Sequence, residues 1–209
     1  MILEKFYVVG VSYKKAPLSV REDFSLSITS SKALLSHAKK IGITSLLVNS
    51  TCNRTELFGF SNDPKKFTKL LYLFSKGRSD VFNKLGYIIE GSNAIKHIFR
   101  VGSGLESQIL GDFEIIGQLK KSFYLSKKNK IVNGFIERMI NSVIQASKKV
   151  KTQTGLSSGA TSVSFAAVQY IQQNIKDVSN KNILLFGAGK IGKNTCENLI
   201  KHTKNDHIV

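Results

Sequence analysis

The chain has 209 residues, 42% of them apolar and 22% charged, which is enough for one substantial core and part of a second and excludes a disordered or low-complexity protein. Its 31 Lys and Arg against 14 Asp and Glu give a formal net charge of +17, so an anionic partner such as nucleic acid is expected, although a Lys-rich background explains the same number. Two cysteines exclude a disulfide framework, no stretch approaches the roughly 20 apolar residues of a membrane span, and Met1 to Phe6 lacks a secretion pattern, so a soluble cytoplasmic protein is expected.

In chain order, Phe6 to Val11 reads as a strand rich in aromatic and β-branched residues, followed by a polar loop through Pro17. Ser30 or Ser31 is expected to cap a helix over Lys32 to Ile41, with Gly42 as its stop. Strands follow at about Ser45 to Asn49 and Glu56 to Phe60, joined by a short loop. Asn62-Asp63-Pro64 is a helix start, and Phe67, Leu70, Leu71 and Phe74 recur at helical spacing as core. Tyr87 to Ile89 is a short fourth strand. The short loop between strands two and three predicts an antiparallel or mixed sheet with helices on one face, an α+β domain.

From Ser92 the pattern becomes helical: Asn93 to Val101, then a helix capped by Asp112, then about Val132 to Lys151, then one carrying Val163, Ala166, Ala167, Tyr170 and Ile171. Between Lys120 and Lys151 there are nine Lys or Arg and one acid, Glu137, either a phosphate-facing surface or a solvated helical face. Asn182 to Phe186 then reads as a continuous apolar strand of the parallel type. Gly187-Ala188-Gly189-Lys190-Ile191-Gly192 follows and opens a helix, the strand–turn–helix context in which this glycine spacing cradles a dinucleotide pyrophosphate.

The segment richest in chemistry is Asn49-Ser50-Thr51-Cys52-Asn53-Arg54-Thr55-Glu56. It sets a thiol at the end of an apolar strand, two residues from a permanent cation, where thiolate is favoured and a ligand has access. Cys52 is read either as a nucleophile or as a small buried residue; Cys196 is given no role. The four histidines are scattered, with no carboxylate or cysteine at ligand spacing, so no metal is expected.

Four blocks, in order, resemble the glutamyl-tRNA reductase family: Gly10 to Pro17 with Arg21-Glu22, Ser50 to Glu56, Gly104 to Gly111 running on to Gly117-Gln118, and Gly187 to Gly192. The family usually has His where Tyr13 stands and Glu-Pro-Gln where Asp112-Phe113-Glu114 stands. The resemblance implies that Cys52 attacks the aminoacyl ester of glutamyl-tRNA to give a thioester, which NADPH reduces to glutamate-1-semialdehyde, the first step of tetrapyrrole biosynthesis. It implies His97 as a proton-handling group near the thiol. Arg54 would pair with a glutamate carboxylate, and Thr51, Asn53, Ser107, Asp112, Phe113, Glu114 and Gln118 would surround the substrate. Gly187, Ala188, Gly189, Lys190, Ile191 and Gly192 would hold NADPH.

The fold implied is a ferredoxin-like catalytic domain over residues 1–155, a helical linker over 156–180 and the start of a Rossmann-type NADPH domain over 181–209, incomplete in this chain. Glutamate-1-semialdehyde aminomutase is implied as a further partner, and a homodimer for the full-length family through a dimerisation domain that this chain lacks. Two other readings stand beside it: a basic RNA-binding module, and a nucleotide-binding regulator with a structural cysteine.

Overall fold

The computed structural model describes residues 2–112, 114–154, 156, 163–205 and 207–209. β1 (Phe6–Ser12) leads through α1 (Leu18–Asp23) and α2 (Ile28–Lys40) to β2 (Leu46–Ser50). A tight turn gives β3 (Arg54–Phe60), and α3 (Lys65–Phe74) and α4 (Ser79–Leu85) return the chain to β4 (Tyr87–Glu90). The strands lie in the order β2-β3-β1-β4 and every pairing is antiparallel. This is the β-α-β-β-α-β arrangement of ferredoxin-like domains, as expected.

Strand alternation sorts the core into two layers. Val9, Val11, Leu46, Val48 and Leu57 point to one face and pack on Leu34, Leu35 and Ala38 of α2 and Phe67, Leu70 and Leu71 of α3. Phe6, Val8, Leu47 and Phe58 point to the other. A sheet covered on one face only was expected. The second face is in fact covered by α5 (Gly91–Gly102), α6 (Glu114–Lys128) and α7 (Gly134–Gln153), whose Ala94, Ile98, Leu119, Phe123, Ile136, Ile140 and Val143 complete that layer. The helical run after Ser92 is thus the second half of the same core.

Helix boundaries follow local hydrogen bonding. Ser27, rather than Ser30 or Ser31, caps α2 by accepting the Ser30 N–H at 3.0 Å. The first helical residue, Ile28, is 71% exposed and off the core stripe, so apolar periodicity starts too late to reveal it. Asp63 accepts the Lys65 N–H at 2.8 Å, Asp112 the Glu114 N–H at 2.9 Å and Asn133 the Ile136 N–H at 3.0 Å, opening α3, α6 and α7. The short helices α1 and α4 carry no buried residue and one, Phe82, respectively, and so left no periodic signal.

The last elements are α8 (Val163–Asn174) and α9 (Lys190–Thr203). The apolar run 182–186 does not form the expected strand. It makes a single parallel bridge, Ile183 with Ile208, supported by Leu185 N–H donating to the Val209 carbonyl at 2.7 Å. With a partner on one side only among the described residues, Leu184 and Phe186 stay 78% and 100% exposed.

Candidate active site

β2 and β3 form a hairpin whose four-residue turn is Thr51-Cys52-Asn53-Arg54, closed by Thr51 N–H donating to the Arg54 carbonyl at 2.8 Å. The Thr51 hydroxyl accepts from the amides of Asn53 at 3.3 Å and Arg54 at 3.2 Å, a local side-chain turn of the kind Thr favours. The tip is fixed from outside as well: Tyr13 N–H donates to the Asn53 carbonyl at 2.9 Å, and Arg21 Nε to the Cys52 carbonyl at 3.0 Å. The Cys52 thiol is free and exposed on this anchored tip.

Behind the tip lies a buried charge cluster. Arg54, Glu56 and Phe58 share one face of β3, and Arg54 and Glu56 are 2% and 0% exposed. Arg54 Nη1 donates to Glu56 Oε1 at 3.3 Å. The same oxygen takes His97 Nε2 at 2.6 Å and the Tyr87 hydroxyl. An ionised carboxylate only accepts, so His97 carries its hydrogen on Nε2. Burial pushes the Glu56 carboxyl up, but Arg54 beside it, with the His97 and Tyr87 contacts, outweighs burial and holds it below the ordinary value. Burial and the neighbouring Glu56 charge push the Tyr87 phenol well up, keeping it a donor.

This carboxylate has a prepared seat. Gly10 stands between Glu56 and Tyr87 across the sheet. A Cβ at Gly10 would lie 2.3 Å from the Thr55 carbonyl oxygen and 2.9 Å from the Glu56 Cα and Cγ.

The loop from Gly104 to Asp112 completes the arrangement. Gly104 and Gly111 take φ of +73° and +81°, a left-handed conformation open to glycine. The Glu106 carbonyl accepts from Arg54 Nη2, while its carboxylate holds Arg100 Nε at 2.6 Å and Lys14 Nζ. Partial burial raises the Glu106 carboxyl, and Lys14 and Arg100 more than offset this and hold it low. Tyr13 hydroxyl donates to the Ser107 carbonyl at 3.0 Å, so the ring that stands where the family usually has His ties this loop to β1.

Thr51, Cys52, Asn53, Arg54, Ser107, Asp112, Glu114 and Gln118 all line one cavity of about 110 Å³. The structure therefore gathers most of the residues expected around the substrate. Arg54 is one of these lining residues, and its Nε is a buried donor with no hydrogen-bond partner, a state that costs about 1–3 kcal/mol. His97 is not part of the cavity wall; it reaches the site through Glu56 and Arg54. Phe113 lies outside the described residues.

Five further residues close the cavity: Ile115, Val163, Ser164, Ile191 and Asn194. Ile191 belongs to the glycine turn, so the start of α9 forms part of the wall around the thiol. Gly187 takes φ +114°, and a Cβ at Gly192 would lie 1.9 Å from the Gly187 carbonyl oxygen, so both must be glycine. Nothing lies within 4 Å of a Cβ built at Gly189, the cap of α9, which leaves its backbone open to a phosphate. Among the described residues no cluster of His, Cys, Asp and Glu is placed to hold a metal ion, and no helix is long and apolar enough to cross a membrane.

Residues 9–154 match the family model described as "Glutamyl-tRNAGlu reductase, N-terminal domain". The chain belongs to the glutamyl-tRNA reductase family. It is 58% identical over 203 residues to glutamyl-tRNA reductase 2 of Flavobacterium johnsoniae, covering 97% of this chain and 47% of that protein. It is 32% identical over 208 residues to the glutamyl-tRNA reductase of Aquifex aeolicus, covering 98% of this chain and 51% of the relative. The solved glutamyl-tRNA reductase from Methanopyrus kandleri superposes with a TM-score of 0.71 at 25% identity, over 98% of this chain and 48% of that one. The chain thus spans about half the length of the glutamyl-tRNA reductases it matches, and the readings as a separate RNA-binding module or a nucleotide-binding regulator are not favoured.

Glu56, Tyr87, Glu106 and Arg21 are site residues that the sequence reading did not single out. Glu56 had a signal: a carboxylate two positions after Arg54, and so on the same strand face, just before the apolar pair Leu57-Phe58. Arg21 and Glu106 fell inside the blocks that carry the family resemblance but were given no role there, and Tyr87 had no signal.

Proposed function

We propose that this chain carries out the acyl-transfer half of glutamyl-tRNA reduction, with Cys52 as nucleophile. The observation that supports the reading is the anchored, exposed thiol on a cavity that the buried Arg54 and the polar residues Thr51, Asn53, Ser107 and Gln118 line, together with Asp112 and Glu114. The Cys52 thiolate attacks the carbonyl carbon joining glutamate to the tRNA ribose. A C–S bond forms, the ester C–O bond breaks, and the ribose oxygen takes a proton from water and leaves as the hydroxyl of free tRNA.

Arg54 holds a carboxylate of the glutamyl group, its unpartnered Nε supplying a donor for that purpose. Glu56 fixes the guanidinium plane, and His97 and Tyr87 fix Glu56; His97 is thereby a positioning residue. Thr51 shapes the turn, while Asn53, Ser107 and Gln118 offer neutral hydrogen bonds to the aminoacyl group. Asp112 and Glu114 line the same cavity at the positions where the family usually has Glu and Gln.

The backbone at Gly187 to Gly192 fits a dinucleotide phosphate, and NADPH held there would supply the hydride that turns the thioester into glutamate-1-semialdehyde. We assign residues 1–155 to the acyl-transfer domain, 156–180 to a linker and 181–209 to the opening of the cofactor domain. The partner is glutamyl-tRNA, and the setting a cytoplasmic one; glutamate-1-semialdehyde aminomutase and a homodimeric assembly belong to the whole protein.

The test is glutamate release from glutamyl-tRNA, since the thioester hydrolyses in water when it is not reduced. Thiol alkylation and Cys52→Ser should each remove at least about a thousandfold of the Cys-dependent rate, as expected for loss of a nucleophile. Release that persists unchanged in Cys52→Ser refutes the reading.

A further inference from the structure

A second cavity, of about 830 Å³, lies at the other end of the sheet from the thiol, and its size is that of a small-ligand site. It opens among the end of β3, the residues that connect α2 to β2, and the first turns of α3 and α7. Arg54, in the wall around Cys52, and Phe60, in the wall here, are the first and last residues of the seven-residue β3, so about 20 Å of strand separates them. The two cavities share no lining residue, and none of residues 187–192 lines this one.

Its wall joins cations to aromatic rings. Lys5 stands just before β1, Lys66 in the first turn of α3 and Arg138 in α7. Among the described residues none of the three pairs with an acid, and the lining includes no acid. Like charges around one space repel, and an anion of several charges relieves that repulsion. Phe60 and Phe135 meet edge to face with centroids 5.1 Å apart and planes at 82°, and present ring surface to a planar group. Asn133 spends its Oδ1 on the Ile136 N–H, so the amide NH₂ is what it offers the cavity, and Asn62 adds a second amide. A simple carboxylate would use one cation and neither ring. An uncharged apolar ligand would leave the cations unanswered. A base joined to several phosphates uses all of these groups.

We propose that this cavity binds a free nucleoside polyphosphate, its phosphates toward Lys5, Lys66 and Arg138 and its base toward Phe60 and Phe135. The site is remote from the thiol and from the glycine turn, and it stands whether or not Cys52 is a nucleophile.

The probe is mant-ATP, a fluorescent ATP, followed by anisotropy on this chain. It should bind saturably, and ATP should displace it at least about tenfold more effectively than adenosine, which lacks the phosphates, or inorganic triphosphate, which lacks the base. Lys5 and Lys66 are exposed and lie on different elements, so Lys5→Glu and Lys66→Glu leave the core untouched and should keep the denaturant midpoint. Each should raise the mant-ATP Kd about tenfold, the scale of one lost charge-assisted contact. Gly189→Asp, which sets an acid where the glycine turn would meet a phosphate and is itself a good helix cap, should leave that Kd unchanged. No saturable binding up to about 1 mM mant-ATP overturns the site. Binding lost in Gly189→Asp and unmoved in both lysine variants overturns it too, by putting the nucleotide on the glycine turn. A polynucleotide carries the same groups, so uncharged tRNA is the other arm. If the lysine variants weaken tRNA and mant-ATP does not bind, the cavity is a contact for a phosphate backbone and the free-nucleotide assignment fails.

Discussion

Glu56 is the residue on which the geometry of the guanidinium turns. Three donors converge on one of its oxygens while the carboxylate is fully buried. Removing the charge in Glu56→Gln leaves Arg54 buried without its counter-ion, which should cost about 3–5 kcal/mol of stability in denaturant titrations, as for other broken buried pairs. The sign of the pH dependence follows from the lowered carboxyl. The folded value lies below the unfolded one, so the contribution is complete above the unfolded value of about 4.3 and is lost as pH falls through the folded one. Denaturant midpoints of the unmodified chain should therefore drop below about pH 4.3, with Glu106 adding the same sign, and Glu56→Gln should flatten part of that drop. A midpoint equally steep in the variant would remove Glu56 from this role. The contiguous turn Thr51 to Arg54 was legible because its chemistry sits in four adjacent letters. The link from His97 to Arg54 was not, since it runs through a carboxylate and a tyrosine brought together by sheet register.

The elements set that register. Gly10 lies between Glu56 and Tyr87, and there a methyl group would meet backbone at 2.3 Å rather than the end of a flexible side chain. Gly10→Ala should thus push β1 away from β3, destabilise the fold by about 1–3 kcal/mol or more in the same titrations, and reduce ester cleavage by misplacing Arg54. A fully stable, fully active Gly10→Ala would show that the strands have slack here. At this scale the sequence reading found all four strands of the sheet and most helices from periodicity and caps. It placed the start of α2 late because Ile28 faces solvent, and it read 182–186 as a strand because composition cannot reveal whether a second neighbour is there to pair with.

For the molecule as a whole, charge dominates. Lys121, Lys127, Lys128, Lys130, Arg138, Lys148, Lys149 and Lys151 are exposed along α6, α7 and the connection between them, and Glu137 is already paired with Lys127 at 2.5 Å. If this surface tracks a phosphate backbone, uncharged tRNA binding should weaken at least tenfold between about 50 and 200 mM salt in a filter or anisotropy assay. A flat response would place the basic helices away from the RNA. The domain-level fold was legible because ferredoxin-like alternation leaves a plain pattern, whereas the covering of the second sheet face by α5 to α7 depends on packing between distant segments.

The uncovered apolar side chains Leu184 and Phe186 have a consequence for that same titration. Like-charged copies at +17 repel one another, and this repulsion reaches only about 8 Å at physiological ionic strength. Added salt therefore strips away the colloidal protection of an unshielded greasy strip, and turbidity is to be watched for as the salt is raised, before any loss of signal is ascribed to the nucleic acid letting go.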